Sequence, residues 1–245
     1  MLNLVVDIGN TRAKIGLFDG DTLVEKWTWV QWSPQAFVQL ATNQKAQNII
    51  LSSGAVSMPD LLARQLEQQF YYLSLNNQTP VPFSNQYQTP QTLGIDRLAA
   101  VAGALALYPG QHCLVVDAGT CMTFEVLTAQ AVYLGGNIAP GITMRLKAMH
   151  TFTVKLPEVG VSETDQWIGY STESALRNGA QWGAAFENEG AIARLQQDFS
   201  PLTVILTGGD AIFLAKMLKS QIFVHSDLVL IGLNKILNHN VNYVA

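Results

Sequence analysis

The sequence predicts an α/β protein built from two related lobes, each of which opens with a β-meander. An apolar run that ends in Asp and continues into Gly occurs twice, at residues 4–9 and 114–119. The two aspartates, Asp7 and Asp117, lie 110 positions apart (117 minus 7), close to half of the 245-residue chain. Further strand patterns follow each run, and strand and helix patterns then alternate, as is typical of α/β folds.

The composition indicates a packed globular body, because 49% of the residues are hydrophobic and 13% are charged. No stretch reaches the roughly 18 uninterrupted apolar residues of a membrane span, and the first residues lack the pattern of a signal peptide. We therefore expect a cytoplasmic protein. The net charge of −4, with no basic tract, argues against a nucleic-acid partner. Cys113 and Cys121 are expected to be buried free thiols, and four scattered histidines make a zinc site improbable.

The first lobe is assigned to residues 1–110, where Pro109-Gly110 stops a helix. Its predicted elements are strands at 4–8, 13–18, 22–30, 48–56 and 71–75, a helix capped by Ser57 that runs to about residue 70, a loop at 76–93 and a helix at 96–108. Because long loops in compact domains are often functional, residues 76–93 are a candidate binding segment.

The second lobe is assigned to residues 111–245. Its predicted elements are strands at 114–118, 123–127 and 131–134, a turn-rich linker at 135–141, a helix that ends near residue 150, a helix at 172–199, a strand at 202–206, a helix at 211–218, a strand at 222–225 and a helix at 227–237.

The turn after the first strand has the residues expected of a phosphate-binding hairpin. Gly9 has no Cβ, so the backbone can come close to a phosphate, and the N–H groups of the turn, with the side chains of Asn10 and Thr11, can face its oxygens. Lys14 supplies a positive charge. Asp7 can hold magnesium directly or through water, because magnesium prefers oxygen ligands. Taken alone, this motif is more often an ordinary hairpin turn.

The repetition of the motif favours the functional interpretation. Asp117-Ala118-Gly119-Thr120 matches the first copy, and two facing hairpins can grip one polyphosphate across a cleft. A third loop, Thr207-Gly208-Gly209-Asp210, lies between a strand and a helix, where a glycine pair lets a base or a phosphate approach the backbone. Gly208 and Gly209 are therefore candidate ATP contacts, although a plain strand-to-helix turn would look the same.

A different motif, Gly94-Ile95-Asp96-Arg97, opens the helix after the long loop. An Asp in the first helical turn is favoured by the helix dipole and tends to stay ionised, which suits a general base that accepts a proton from an alcohol. Arg97 can pair with a carboxylate in forked geometry. The motif thus fits a substrate that carries both a hydroxyl and a carboxylate. The alternative is an N-capping Asp beside a solvated Arg.

The two Asp hairpins and the glycine loop resemble those of the actin, sugar-kinase and heat-shock ATPase superfamily, which implies two ribonuclease-H-like lobes with a nucleotide cleft between them. Within it, the order and spacing of five motifs closely resemble the type III pantothenate kinases from end to end. The motifs are Asp7-Ile8-Gly9-Asn10-Thr11, Gly94-Ile95-Asp96-Arg97, Asp117-Ala118-Gly119-Thr120, Gly135-Gly136-Asn137-Ile138-Ala139-Pro140-Gly141 and Thr207-Gly208-Gly209-Asp210. That family phosphorylates pantothenate at its primary hydroxyl, the first committed step toward coenzyme A.

The resemblance implies a role for each matching position. Residues 7–14 would bind the ATP phosphates, Thr120 would contact ATP, Asp96 would be the catalytic base, residues 94–97 with Tyr87 and Thr172 would hold pantothenate, and Asp117 would bind a monovalent cation, potassium or ammonium. Family members are dimers. This chain departs from the family pattern at Cys121-Met122, and at Glu125, where Asp is common.

Three other functions stay open from the sequence. A kinase or phosphatase of the same fold could act on a sugar or on acetate. A non-catalytic regulator could keep the fold, since similar sequences have been described as accessory transcription factors. An actin-like polymer is disfavoured by the short chain. The presence of Asp7, Lys14, Asp96 and Asp117 together favours catalysis, because a binding module has no need of all four.

Overall fold

The computed structural model of the chain describes residues 1–9, 11–54, 58–163 and 166–244. The first elements in chain order are β1 (Leu2–Ile8), β2 (Ala13–Asp19), β3 (Thr22–Trp29), α1 (Pro34–Asn43), β4 (Asn48–Ser53), α2 (Asp60–Gln69), β5 (Tyr71–Ser74), β6 (Ser84–Asn85), a 3-10 turn (Pro90–Thr92) and α3 (Ile95–Leu107). The following elements are β7 (His112–Ala118), β8 (Cys121–Leu127), β9 (Val132–Pro140), α4 (Ile142–Thr151), α5 (Thr172–Leu195), β10 (Leu202–Thr207), α6 (Ala211–Ala215), β11 (Phe223–Val224) and α7 (Leu228–Val244). The predicted phosphate contact Asn10 and the predicted cap Ser57 lie outside the described residues.

The chain folds into two compact units. Unit 1 comprises Met1–Gly110, Gln130–Leu134 and Asp227–Ala245, and unit 2 comprises Gln111–Ala129 and Gly135–Ser226. Unit 1 thus contains residues 1–110 together with two later segments of the chain. Residues 227–245, which the sequence pattern placed with the second lobe, group with unit 1 instead.

Unit 1 contains a five-stranded sheet in the order β3-β2-β1-β4-β5. β1 pairs antiparallel with β2, and β2 with β3, whereas β4 runs parallel to β1 and β5 parallel to β4. Alternate residues of β1, Leu4, Val6 and Ile8, are buried in one apolar cluster with α1 and the adjoining strands. This period-two pattern places the intervening Asp7 on the opposite face of the sheet, at the end of the central strand.

The second sheet repeats this strand order. Its strand order is β11-β10-β7-β8-β9-β6. Taken in the opposite direction, β9-β8-β7-β10-β11 corresponds strand by strand to β3-β2-β1-β4-β5 of the first sheet. β8 pairs antiparallel with β7, while β10 runs parallel to β7 and β11 parallel to β10. The duplication predicted from the two Asp motifs is confirmed in the strand order. β6 is an addition, and it pairs with Val132 and Tyr133 at the start of β9.

The central strands of the two sheets also match residue by residue. β1 and β7 have the same burial pattern along seven positions, with a partly buried Asp at the sixth position of each, Asp7 and Asp117. Each strand then turns into its antiparallel partner, through residues 9–12 in the first copy and 119–120 in the second. The same local sequence thus builds the same acidic hairpin twice.

Two segments differ from the sequence prediction. The predicted linker at 135–141 is wrong, because β9 continues through it to Pro140 with β8 as its neighbour. Sheet pairing there overrides the low strand propensity of the glycines. Helix α1 was not predicted, although Ser33 accepts a hydrogen bond from the N–H of Ala36 and Pro34 occupies the first turn, two standard start signals.

Smaller corrections concern element ends and one cysteine. The loop at 76–93 contains β6 and a 3-10 turn. Helix α5 ends at Leu195 and helix α6 ends at Ala215, and each of these two helices ends earlier than predicted. Cys113 is buried, which raises the pKa of its thiol to about 11, but Cys121 is exposed because it begins β8 at the hairpin turn. Glu125 is fully buried. Among the described residues, no helix is long and apolar enough to cross a membrane.

A buried asparagine network holds α7 against the first sheet. The Asn3 amide donates hydrogen bonds to the side-chain oxygens of Asn234 and Asn238, both at 2.7 Å, and the Asn48 amide donates to the Asn3 oxygen at 2.8 Å. Asn3 has no exposed surface. The two contacts with α7 join residues more than 200 positions apart and help to hold the end of the chain in unit 1.

We expect Asn3→Ala to destabilise the protein by about 2–4 kcal/mol, because it leaves several buried amide groups without their partner. Equilibrium urea unfolding measures this free energy. Asn242→Ala is the matched control, since Asn242 is exposed on α7 and its loss should cost less than about 0.5 kcal/mol. Equal stabilities of the two variants would contradict a structural role for the network.

Candidate active site

The hairpin of unit 1 presents the first set of predicted site residues. Asp7 in β1 and Lys14 in β2 are opposite each other in the antiparallel strand register, and both residues are partly buried. The loop is closed by the N–H of Gly9, which donates to the carbonyl oxygen of Arg12 at 3.1 Å. Gly9 and Thr11 are exposed. The described part of the turn therefore places exposed Gly9 and Thr11 close in sequence to an acidic and a basic side chain.

The electrostatics of Asp7 show that a second carboxylate lies nearby. Burial and, as a smaller cause, the negative charge of Asp96 together raise the pKa of Asp7 to about 6. A hydrogen bond from Ser52 and the positive charge of Lys14 act in the opposite direction. Asp7 and Asp96 are 89 positions apart in sequence (96 minus 7), yet the charge of Asp96 reaches Asp7 within unit 1. Asp7, Lys14 and Asp96 thus form one charged cluster.

Asp96 stands in the first turn of α3. The helix begins at Ile95 with Gly94 as its N-cap, and Asp96 is exposed. Its Oδ1 accepts a hydrogen bond from the backbone N–H of Arg97 at 2.9 Å. A Cβ at Gly94 would overlap that same oxygen, so a larger residue at position 94 would make the Asp96 carboxylate shift.

Arg97 is buried, with only 5% of its surface exposed, which excludes the alternative of a solvated arginine. Its Nη2 donates to the hydroxyl of Tyr133 at 3.2 Å, and its guanidinium carbon lies 5.3 Å from the ring centre of Tyr87. The rings of Tyr87 and Tyr133 stack at 6.3 Å with an interplanar angle of 11°. Arg97 and Tyr87, both predicted substrate contacts, therefore meet. Tyr133 was missed, because no motif marks it.

The hairpin of unit 2 meets the glycine loop. The N–H of Asp210 donates to the carbonyl oxygen of Ala118 at 2.9 Å, which ties the loop to the end of β7. A Cβ at Gly208 would overlap the Asp117 carboxylate, and Gly208 has a positive φ of 96°. Thr120 is exposed at the hairpin turn. Within unit 2 the structure therefore brings together Asp117, Thr120 and the Gly208-Gly209 pair.

Thr172 is the first residue of α5 in unit 2, and its side chain is exposed. The helix cap is Ser171, whose hydroxyl accepts from the N–H of Ser174 in a reciprocal capping box. Because Ser171 provides the cap, the hydroxyl of Thr172 is not needed for it.

Among the described residues, no group of three or more His, Cys, Asp or Glu side chains could hold a metal by itself.

We expect Gly208→Ala to destabilise unit 2 by about 1–3 kcal/mol, because the new methyl group meets Asp117 and the backbone is strained at this φ. Gly209→Ala is the matched control, since a Cβ there meets nothing within 4 Å. Its cost should stay below about 0.5 kcal/mol. Thermal unfolding monitored by circular dichroism compares the two, and a Gly208→Ala protein as stable as its neighbour variant would refute this packing.

Two copies of one sheet, each ending its central strand in an aspartate hairpin, are the architecture of the actin-like ATPase fold. The ROK hexokinase of Thermus thermophilus shares this fold, with a TM-score of 0.54 at 13% identity over 98% of this chain and all of that one. A crystal structure from Campylobacter jejuni, titled as a candidate Baf family transcriptional activator, is 26% identical with a TM-score of 0.60, over 98% of this chain and 99% of the other.

The sequence comparisons name the family. The family model for type III pantothenate kinase matches residues 3–194. A type III pantothenate kinase of Phocaeicola vulgatus is 44% identical over 98% of this chain and 99% of its own length. The chain belongs to the type III pantothenate kinase family, and the recognition based on five motifs is confirmed.

Proposed function

We propose that this chain transfers the γ-phosphoryl group of ATP to the primary hydroxyl of pantothenate, giving 4'-phosphopantothenate in the first step of coenzyme A biosynthesis. The observation that carries the proposal is the cluster of Asp7, Lys14 and Asp96 in unit 1, found in a chain of this family. A sugar kinase of the same fold is the second candidate, and the 13% identity to the hexokinase supports no more than shared architecture.

The unit 1 hairpin is assigned to the ATP phosphates. Gly9 has no side chain to block the approach of a phosphate, the side chains of Asn10 and Thr11 would contact its oxygens, and Lys14 would offset their charge. Asp7 fits a magnesium site. Burial and the charge of Asp96 both disfavour the ionised Asp7 carboxylate, and a bound divalent cation would favour the ionised form again. When bound, magnesium would neutralise phosphate charge.

Asp96 is assigned as the catalytic base. Its carboxylate is exposed, so a substrate hydroxyl can reach it, and the N–H of Arg97 fixes its orientation through Oδ1. The carboxylate orients the hydroxyl toward the γ-phosphate and takes its proton. Because phosphoryl transfer needs little covalent help, most of the rate enhancement comes from alignment and charge neutralisation.

The pantothenate contacts are assigned to Tyr87, residues 94–97 and Thr172. Buried Arg97 keeps a fixed cationic fork suited to the substrate carboxylate. In unit 2, Asp117 is assigned to a monovalent cation, potassium or ammonium, and Thr120, Gly208 and Gly209 to ATP. The juxtaposition of Asp117 with the glycine loop supports this assignment.

We assign the chain to the cytoplasm as a homodimer. Support for self-association comes from exposed aromatic side chains on unit 2. Trp167 and Phe186 are 53% and 51% exposed, and their ring centres lie 5.1 Å apart. Exposed aromatic clusters of this kind are common at protein interfaces. Analytical ultracentrifugation of the protein, with Phe186→Ser as the variant, tests the dimer.

An ADP-release assay with pantothenate, glucose and acetate as acceptors separates the candidate substrates. Of the three acceptors, we expect only pantothenate to be phosphorylated. The rate should depend on potassium, and sodium at equal ionic strength should not restore it. Turnover with glucose but not pantothenate would establish the second candidate instead. A non-catalytic regulator is disfavoured because it has no need of the charged cluster in unit 1, and in this assay it would give no ADP with any acceptor.

A further inference from the structure

One buried tyrosine joins the elements assigned to pantothenate, although no motif gives it a role. Tyr133 has no exposed surface and lies near the start of β9, in the short segment Gln130–Leu134 that groups with unit 1. A tyrosine hydroxyl in such a place needs a hydrogen-bond partner, and its partner here is a functional arginine.

The backbone of Tyr133 fixes the loop that carries Tyr87. The N–H of Gln86 donates to the carbonyl oxygen of Tyr133 at 2.9 Å, and Asn85 is its parallel partner in the sheet. The side chain of Asn85 in turn accepts from the N–H of Tyr87 at 2.9 Å. These hydrogen bonds fix the backbone that follows β6, and they place the ring of Tyr87 against that of Tyr133.

The side chain of Tyr133 reaches the second substrate element. Its hydroxyl accepts the hydrogen bond from Arg97 Nη2, while its ring stacks on Tyr87. Phe83 meets the same ring edge-on at 6.1 Å and closes the cluster. A guanidinium group cannot lose its charge, so a buried one is oriented by the acceptors it finds. The hydroxyl of Tyr133 is one of those acceptors.

We infer that Tyr133 is a positioning residue for specificity: it aims the Arg97 guanidinium and the Tyr87 ring at the carboxylate end of the substrate. The inference rests on the proposed function. Tyr133 acts through Arg97 and does not itself touch the reacting atoms. It sets the preference for a carboxylate-bearing acceptor over an otherwise identical neutral one.

The test is Tyr133→Phe, which keeps the buried ring and removes only the hydroxyl. Steady-state kinetics are measured with pantothenate and with its alcohol analogue, in which a hydroxymethyl group replaces the carboxylate. We expect the ratio of kcat/KM for pantothenate to that for the alcohol to fall about tenfold, the size of one charge-assisted hydrogen bond. The change should appear in the KM for pantothenate, with kcat and the KM for ATP within about twofold.

Tyr72→Phe is the matched control. Tyr72 is a partly buried tyrosine of unit 1 whose hydroxyl, like that of Tyr133, has a hydrogen-bond partner, here Ser74, and no role is assigned to it. Its ratio should equal that of the wild type. Phe83→Leu is a second variant that leaves the Tyr133 hydroxyl in place, and it should lower the ratio by a smaller factor. It keeps the test available should Tyr133→Phe be unstable.

The outcomes are distinct. An unchanged ratio in Tyr133→Phe and Phe83→Leu, with a wild-type enzyme active on pantothenate, would overturn this role and leave the proposed function standing. An equal loss with both acceptors would show a structural tyrosine only and would also overturn it. A wild-type protein without activity on pantothenate would remove the proposed function and this inference together.

Discussion

Asp96→Asn should lower kcat for pantothenate phosphorylation about a thousandfold, while the KM values for ATP and pantothenate change less than about threefold. The amide has nearly the shape of the carboxylate and can still accept the N–H of Arg97, but it cannot take a proton from the substrate hydroxyl. Removal of this group therefore affects the chemical step and spares binding. Initial rates of ADP release, with acceptor and ATP varied in turn, separate kcat from KM.

The matched control is Asp60→Asn, which changes an exposed aspartate in the first turn of α2, also in unit 1. Its activity should be that of the wild type. Near-normal turnover of Asp96→Asn would remove Asp96 as the base. A loss shared equally by both variants would point to a general effect of charge.

Asp7→Asn should abolish most activity and yet stabilise the protein at neutral pH in the absence of nucleotide. The ordinary pKa of 3.8 is raised to about 6 in the folded chain, so folding disfavours the ionised carboxylate. Stability from this group is full below about pH 4 and is lost as pH rises through 6, because the unfolded chain ionises first. At pH 7 the wild type should thus be roughly 1–3 kcal/mol less stable than the variant.

Urea unfolding from pH 4 to pH 8 measures this difference. The two curves should converge near pH 4 and separate as pH rises, whereas Asp60→Asn should follow the wild type throughout. Added magnesium and ATP should stabilise the wild type more than Asp7→Asn, because only the wild type offers the carboxylate to the cation. Parallel curves at every pH would contradict the buried, charge-disfavoured setting of Asp7.

The sequence was most informative where function depends on local patterns. A buried strand that ends in Asp-x-Gly predicts an acidic hairpin whichever unit it occurs in, and both copies, at Asp7 and Asp117, form one. The Asp96 position in the first helical turn likewise follows from local signals. The duplicated strand order could be anticipated because the repeated motifs imply a repeated fold.

What the sequence could not supply depends on contacts between distant residues. The asparagine network between α7 and the first sheet consists of residues that are common on protein surfaces. Their structural role depends on hydrogen bonds to Asn3, which no sequence pattern indicates. The effect of Asp96 on Asp7 is likewise invisible in a pattern. Tyr133 looks like an ordinary strand residue until the fold brings Arg97 to it. The start of β9 was predicted as a strand, but its continuation through residues 135–140 was predicted as a linker, since glycines indicate turns unless a neighbouring strand pairs with them.

The most direct test of the central claim is identification of the reaction product. The purified protein is incubated with ATP, magnesium, potassium and pantothenate, and the mixture is analysed by phosphorus NMR and mass spectrometry, with Asp96→Asn as the control. We expect one phosphorylated pantothenate for each ADP, with the phosphate on the primary hydroxyl and very little product from the variant. ADP formed without phosphorylated pantothenate, or equal product from the variant, would contradict the account.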